Sequence, residues 1–461
     1  MNDLINQLKE IVGDKYISTD NDTLQTYGQD WSGLFQAAPL VLVKPADTEQ
    51  VASIVKLCNQ NKIAIVPSGG RTGLSGGATA ANKEVILSLE RLNQISDFNP
   101  VDRTVKCGAG VITQELQNYA NEQGFYYPVD FASAGSSQIG GNIATNAGGI
   151  KVIKYGLTRD WVAGLTVVTA SGEVLELNNG LVKNATGYDL RHLIIGSEGT
   201  LGIITQAIMK LTTQPVEPTV MLLAVDSLAD VSELLVHFQS NLDLMAFEFF
   251  SHKALEKVLS HRNLRAPFEN SSPFYVLIEF DCVSEAEMDK AFSAFESACE
   301  NGWLVDGIIS QSQQQATDLW QYREGISESI AHYPPYKNDI AVVPSKVGEF
   351  LQAVDQFVQK NYPEFENIWF GHIGDGNLHL NILKPETMLL DKFKQLCEQA
   401  NPEIFKILQG YSGSISAEHG VGLLKTPYLK YSRNESEIAL MKAIKSSMDP
   451  NNILNPGKLF Q

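Results

Sequence analysis

The chain has 461 residues, and 53 acidic against 35 basic side chains leave a formal net charge of −18. That balance excludes nucleic acid as a partner, because phosphate binding needs clustered lysine and arginine to replace the released counterions. With 44% apolar and 19% charged residues, the composition belongs to a chain that buries large cores, and at about 100–200 residues per domain two or three domains are expected.

From the N-terminus, Asp3, Lys9 and Glu10 are interspersed with Leu4, Ile5, Leu8 and Ile11, a helical amphipathic pattern and not a signal sequence. No run approaches the ~18 apolar residues that a membrane span requires. Cys58, Cys107, Cys282, Cys299 and Cys397 are odd in number and form no CxxC pair, which argues against a disulfide framework and for a reducing, cytoplasmic setting.

Residues 1–215 read as short helices and strands separated by glycine-rich loops. The first loop, PSGGRTGLSGG at 67–77, follows the apolar run 63–66. Its five glycines allow backbone N–H groups to converge on phosphate oxygens, with Arg71, Thr72 and Ser75 as further donors. It lacks the Gly-Lys-Ser/Thr ending of a Walker loop. CGAGVIT at 107–113 lacks the third glycine of a dinucleotide fingerprint and reads as a strand-to-helix turn. The second loop, at 130–149, holds five glycines with Asp130 as its single charge, so little bulk hinders an extended ligand. A third glycine segment, GSEGTLGIIT, occupies 196–205.

Proline-flanked residues 213–218 read as a linker. Beyond them, apolar runs at 221–225, 245–250 and 274–280 alternate with helical stretches at 231–238 and 285–300, which predicts an α+β domain whose open sheet carries helices on one face. In WFGHIGDGNLHLNI at 369–382, Asp375-Gly376 is a two-residue hairpin signal. Counting outward pairs His372 with His379 at Cβ separations of about 4.5–5.5 Å, and Asn381 shares the face of His379. Two such histidines point to a metal, and SAEHGVG at 416–422 offers Glu418 as a third ligand. A His2Glu set leaves an open catalytic position and suits zinc, with manganese or cobalt as alternatives. His419, an imidazole titrating near neutrality, is the candidate base; a substrate hydrogen bond without proton transfer is its other reading.

The three glycine segments, in this order, resemble the FAD-contacting segments of vanillyl-alcohol-oxidase type flavoenzymes. HxGDGNLHxN followed by EHGxG resembles the D-2-hydroxy-acid dehydrogenase branch of that superfamily. The resemblance implies an FAD domain of two α+β subdomains at 1–215, a substrate- and metal-binding α+β domain with an open antiparallel sheet at 216–440, and a closing segment at 441–461 that returns to the flavin. It assigns FAD contacts to Pro67, Ser68, Gly69, Gly70, Arg71, Thr72, Gly73 and Ser75, to Ala134, Gly135, Ser136, Gly140, Gly141, Asn142, Thr145 and Gly148, and to Glu198, Gly199, Gly202, Ile203 and Asn455. Because the eight histidines begin only at His192, the first two loops cannot tether the flavin and non-covalent FAD is expected. The substrate residues implied are Arg323, Ser327 and Lys337, joined by Asn381 and His419. Two cations would suit a second carboxylate, which predicts oxidation of D-2-hydroxyglutarate to 2-oxoglutarate; D-lactate or glycolate oxidation is the alternative, and a metallohydrolase the reading from another class. Relatives in this branch pass electrons to a carrier such as an electron-transfer flavoprotein, and a homodimer is compatible with the pattern.

Overall fold

The computed structural model describes residues 2–216 and 218–460; within the expected linker at 213–218, Glu217 lies outside the described residues. The chain forms two compact units, 1–149 with 156–214 and 418–461, and 150–155 with 215–417.

The first unit contains two sheets. In one, the strands Val41–Val43, Val85–Ser88 and Ile65–Ser68 run parallel, with Ile17–Ser18 antiparallel at the edge. The connecting helix Thr48–Asn61 starts at Asp47, whose side chain accepts from the Gln50 amide, and its apolar stripe of Val51, Ile54, Val55 and Cys58 is buried. The second sheet is antiparallel, in the order Ile95–Asn99, Thr104–Gly108, Ile203–Lys210, Val162–Val168, Val174–Leu177. One continuous apolar core joins both sheets. The 107–113 segment is the strand-to-helix turn expected of it: a Cβ at Gly108 would stand 2.0 Å from the Leu92 carbonyl oxygen and one at Gly110 2.2 Å from that of Leu89. Close backbone packing therefore fixes these glycines.

The division of the chain departs from the expected one in two places. Return to the first unit begins at Glu418 instead of residue 441, and residues 150–155 belong to the second unit. The first departure follows from hydrogen bonds that begin before residue 441: the Val421 and Gly422 amides donate to the Glu198 carboxylate at 2.7 and 2.8 Å, and the Leu423 amide donates to the Ser75 carbonyl at 2.9 Å. The second follows from charge, since Lys154 pairs with both Asp243 and Asp281 at 2.9 Å.

The second unit is built on a seven-stranded antiparallel sheet. Its order is Asp306–Ile309, Pro218–Val225, Phe274–Asp281, Leu244–Ser251, Glu366–Gly371, Asn377–Leu383, Tyr336–Ala341. Helices cover both faces, not one. Ala254, Leu255 and Val258 of His252–Arg262 pack with Phe250, Ile368 and Phe370 on one face, while Asn401 of Leu390–Gly410 bonds Asn338 and Tyr336 on the other. The strands Pro218–Val225 and Leu244–Ser251 are accordingly buried almost throughout, the pattern of a sheet covered on both sides. No helix among the described residues is long and apolar enough to cross a membrane.

Candidate active site

In the first unit the glycine segments converge. A Cβ at Gly69 would lie 3.4 Å from Gln138 Oε1 and 3.9 Å from Gly141 Cα, and one at Gly199 would meet Pro67 at 2.6 Å. The Gly196 and Glu198 amides donate to the carbonyls of Ile143 and Ala144 at 3.0 and 2.8 Å. Asn455 ties the ends together by donating through Nδ2 to the carbonyls of Gly77, at 2.9 Å, and Glu198, at 2.7 Å.

Two observations make this cradle fit an extended polar cofactor. Among the described residues, Ser68 Oγ, Gln138 Oε1, Ser197 Oγ and Asn455 Oδ1 are buried polar atoms with no protein partner, and such groups are rarely left unmatched in a folded chain. A Cβ at Gly135 or Gly141 would have no neighbour within 4 Å, so packing does not demand glycine at either position. Gly70 differs, since its Cβ would stand 2.1 Å from the Ser136 carbonyl oxygen.

Several residues assigned to the cofactor have side chains engaged by the protein itself. Asn142 Nδ2 donates to Thr113 Oγ1 at 2.7 Å, Thr145 bonds the Gly141 carbonyl, and Ser75 Oγ bonds the Gly420 carbonyl at 3.1 Å. Arg71, at φ 58°, lays its guanidinium 4.2 Å from the Tyr27 ring centroid. Glu198, at φ 51°, accepts from the Val421 and Gly422 amides at 2.7 and 2.8 Å. Burial pushes its carboxyl pKa up and the two amides oppose that shift. These residues are left to meet a cofactor mainly through backbone.

The second unit gathers the histidines, in a different register from the expected one. The strands Glu366–Gly371 and Asn377–Leu383 pair Phe370 with His379, and residues 372–376 form the turn. The Asp375 and Asn377 amides both donate to the His372 carbonyl at 3.2 Å, and the Gly374 amide donates to the Phe247 carbonyl at 3.1 Å. That longer loop replaces the two-residue turn. The imidazoles still meet, with ring centroids 5.4 Å apart and ligand nitrogens within 4.8 Å. Glu418 and His419 also carry ligand atoms within 4.8 Å of each other, in the first unit.

Around the histidines stands a group of buried carboxylates. Glu248 is fully buried and takes His372 Nδ1 on one oxygen and Arg323 Nη2 on the other, each at 2.7 Å. Asp339 lies 3.6 Å from His379 Nδ1 and accepts from Asn377 Nδ2 at 2.8 Å. Burial pushes the Asp375 carboxyl up to about 6. Asn381 is buried opposite Lys337 in the strand register. The Lys337 side chain is exposed and its ammonium has no ion pair or hydrogen bond among the described residues; partial desolvation holds it below the ordinary lysine range. Ser327 is exposed on Ile326–Ser329, just beyond the helix that carries Arg323. Two imidazoles among carboxylates form a donor set suited to a divalent cation.

Sequence reasoning missed Glu248, Asp339 and the buried lysines of the closing segment. Glu248 carried a readable signal as the one charge in an otherwise apolar strand, LMAFEFFS. Lys458 and Asp339 carried none.

Residues 214–459 match the family described as FAD linked oxidases, C-terminal domain, and residues 39–178 match the FAD binding domain family. The chain belongs to the FAD-linked oxidase family. Like other members it is an FAD-dependent oxidoreductase. It is similar to a D-2-hydroxyglutarate dehydrogenase of Stutzerimonas stutzeri (strain A1501), with 55% identity over 99% of this chain and 98% of that one. Similarity extends to the mitochondrial D-2-hydroxyglutarate dehydrogenase of Arabidopsis thaliana, at 38% identity over 99% and 81% of the two chains. Among solved structures, p-cresol methylhydroxylase superposes with a TM-score of 0.77 at 16% identity, over 99% of this chain and 96% of that one. Alkyldihydroxyacetonephosphate synthase gives 0.75 at 19% identity, over 100% and 86%. These two likenesses place the fold with the vanillyl-alcohol-oxidase type flavoenzymes.

Proposed function

We propose that this FAD-linked oxidoreductase oxidises D-2-hydroxyglutarate to 2-oxoglutarate with the help of a divalent metal, zinc before manganese or cobalt. The observation that carries the reading is end-to-end similarity, at 55% identity, to a protein named for that substrate. Lys337, an exposed cation whose side chain has no partner among the described residues, leaves a positive charge available to a second carboxylate on the substrate. Bound FAD supplies the acceptor for the two electrons and the hydrogen leaving Cα, and the metal supplies a Lewis acid toward the α-hydroxy carboxylate. His372, His379 and Glu418 would hold the metal. Arg323, Lys337, Ser327 and Asn381 bind and orient the acid, and His419 takes the hydroxyl proton. Non-covalent FAD, an external carrier such as an electron-transfer flavoprotein, and a cytoplasmic homodimer complete the proposal.

An anaerobic panel of D-2-hydroxyglutarate, D-malate, D-lactate, glycolate and L-2-hydroxyglutarate, followed by flavin bleaching, tests it. D-2-hydroxyglutarate should bleach fastest; faster bleaching by D-lactate or glycolate would replace the substrate, and bleaching by none would remove the activity. Chelation should stop the reaction while the protein stays yellow, and full activity in a metal-free protein would remove the metal.

A further inference from the structure

The carboxylate of Glu248 is shared between two groups with different tasks. Its strand, Leu244–Ser251, pairs with Phe274–Asp281 along most of its length and with Glu366–Gly371 at Phe249 and Phe250, which fixes the backbone that carries the side chain. One oxygen faces His372 Nδ1 and the other Arg323 Nη2, each at 2.7 Å. Glu248 itself has no exposed surface, and Arg323 and His372 are each 8% exposed. The guanidinium is held from a second side by the Phe370 ring, whose centroid is 4.9 Å from Cζ.

We propose that Glu248 is the positioning residue of this site: a single buried carboxylate that fixes which nitrogen of His372 is offered to a divalent cation and locks Arg323 in the same act. An ionised carboxylate only accepts hydrogen bonds, so the Nδ1 it touches carries the proton and Nε2 keeps the free lone pair that a metal needs. Its other oxygen faces the Arg323 guanidinium as an ion pair at 2.7 Å, a charge contact and not an aligned hydrogen bond. No neutral side chain of the same shape serves both partners. A glutamine that turns its oxygen to His372 points its NH2 at the arginine, and turned the other way it makes His372 Nδ1 an acceptor and puts the proton on Nε2. This inference rests on the metal reading above for what His372 ligates, but the orientation of His372 by Glu248 stands on hydrogen bonding within the second unit alone.

The test uses the FAD-loaded protein, stripped of metal with a chelator, and three chains: wild type, Glu248→Gln and Glu248→Ala. Zinc affinity is measured by competition with a chromophoric chelator, and the His372 tautomer by nitrogen NMR of ring-labelled histidine, assigned from the signal lost in His372→Gln. Wild type should show the Nδ1–H tautomer, and both variants should bind zinc at least tenfold more weakly, the usual effect of removing a group that orients a ligating histidine, with flavin content unchanged. Should Glu248→Ala fail to fold, Glu248→Gln, which keeps volume and shape, carries the comparison. An Nε2–H tautomer in wild type, or wild-type zinc affinity in the variants, overturns the proposal. A wild type that takes up no zinc but shows the Nδ1–H tautomer, lost in Glu248→Ala, would instead sink the metal reading and leave the role of Glu248 in place.

Discussion

A glycine can be required by the protein's own backbone or by something the protein binds, and Gly70 and Gly141 separate the two cases. A side chain at Gly70 would run into the Ser136 carbonyl, so Gly70→Val should lower the thermal midpoint and lose flavin together. Gly141 has no atom from outside its own helix within 4 Å of its Cβ position, so Gly141→Val should keep a midpoint within a few degrees of wild type and lose FAD, read as flavin absorbance per chain. Normal flavin content in Gly141→Val would take that loop out of the cofactor site. A similar separation applies to the two cations assigned to the substrate. Arg323 is already neutralised by Glu248, whereas Lys337 has no such partner, so discrimination between one and two carboxylates falls mainly on the lysine. Lys337→Ala should cut kcat/KM for D-2-hydroxyglutarate at least tenfold more than for D-lactate, about the 1.4 kcal/mol of a tenfold step and below the 2–5 kcal/mol scale of a truncated buried charge pair. Arg323→Ala should lower both substrates by similar factors, because it leaves Glu248 a buried carboxylate without its counter-charge. The reverse pattern in steady-state kinetics would return the second carboxylate to Arg323.

Between residues and the whole chain stand the segments that fix one another, and Glu198 is the clearest link. Its carboxylate holds the two amides that follow the Glu418-His419-Gly420 run, and a Cβ at Gly420 would stand 2.9 Å from Glu198 Oε1. Hydrogen bonds to a charged group contribute about 1.5–3 kcal/mol. Glu198→Ala should therefore speed hydrogen exchange at Val421 and Gly422 at least tenfold, with smaller changes in the strands of the first unit, and Glu198→Gln should fall between the two; unchanged exchange in Glu198→Ala would show that the segment is held by other contacts. The same elements show what local pattern can and cannot reveal. The glycine segments were legible because each carries its own conformational demand in sequence, as was the 107–113 turn, whose glycines are required by close backbone approach. The histidine hairpin was misread by turn length: Asp375-Gly376 signals a tight turn, but bonds from Asp375 and Asn377 to the His372 carbonyl, and from Gly374 to Phe247 in another strand, stretch it to five residues. A partner 124 positions away, as Glu248 is from His372, has no local signature beyond being one charge in an apolar strand. Coverage of both sheet faces was hidden for a related reason, since a run of apolar residues records burial but not which helices provide it.

At the scale of the whole molecule, the first unit is assembled from three separate stretches of chain, and buried lysines hold the last of them. Lys445 donates to the carbonyls of Thr200 and Leu454 and pairs with Asp449. Lys458 is 2% exposed and donates to the Thr79 carbonyl at 2.8 Å. Burial pushes the Lys458 pKa down to about 8, against the opposing pull of Glu84, Asp30 and Glu198. An unfolded lysine titrates near 10.4. Between about pH 8 and 10.4 the unfolded chain therefore binds more protons at this site than the folded one, and stability contributed by this group rises with pH across that window. Below pH 8 the folded protein carries the full cost of a buried ammonium; above about 10.4 the lysine is neutral in both states and the cost is gone. Lys458→Met removes the titration, and its loss of the Thr79 hydrogen bond is a constant offset that pH does not change. The thermal midpoint of wild type minus that of Lys458→Met, followed by flavin release at pH 7.5, 9.0 and 10.5, should thus climb steadily toward higher pH, by an amount equivalent to about 3 kcal/mol over the full window. A difference that stays flat would mean that Lys458 keeps an ordinary lysine pKa in the fold, and that the closing segment is anchored at no cost in buried charge.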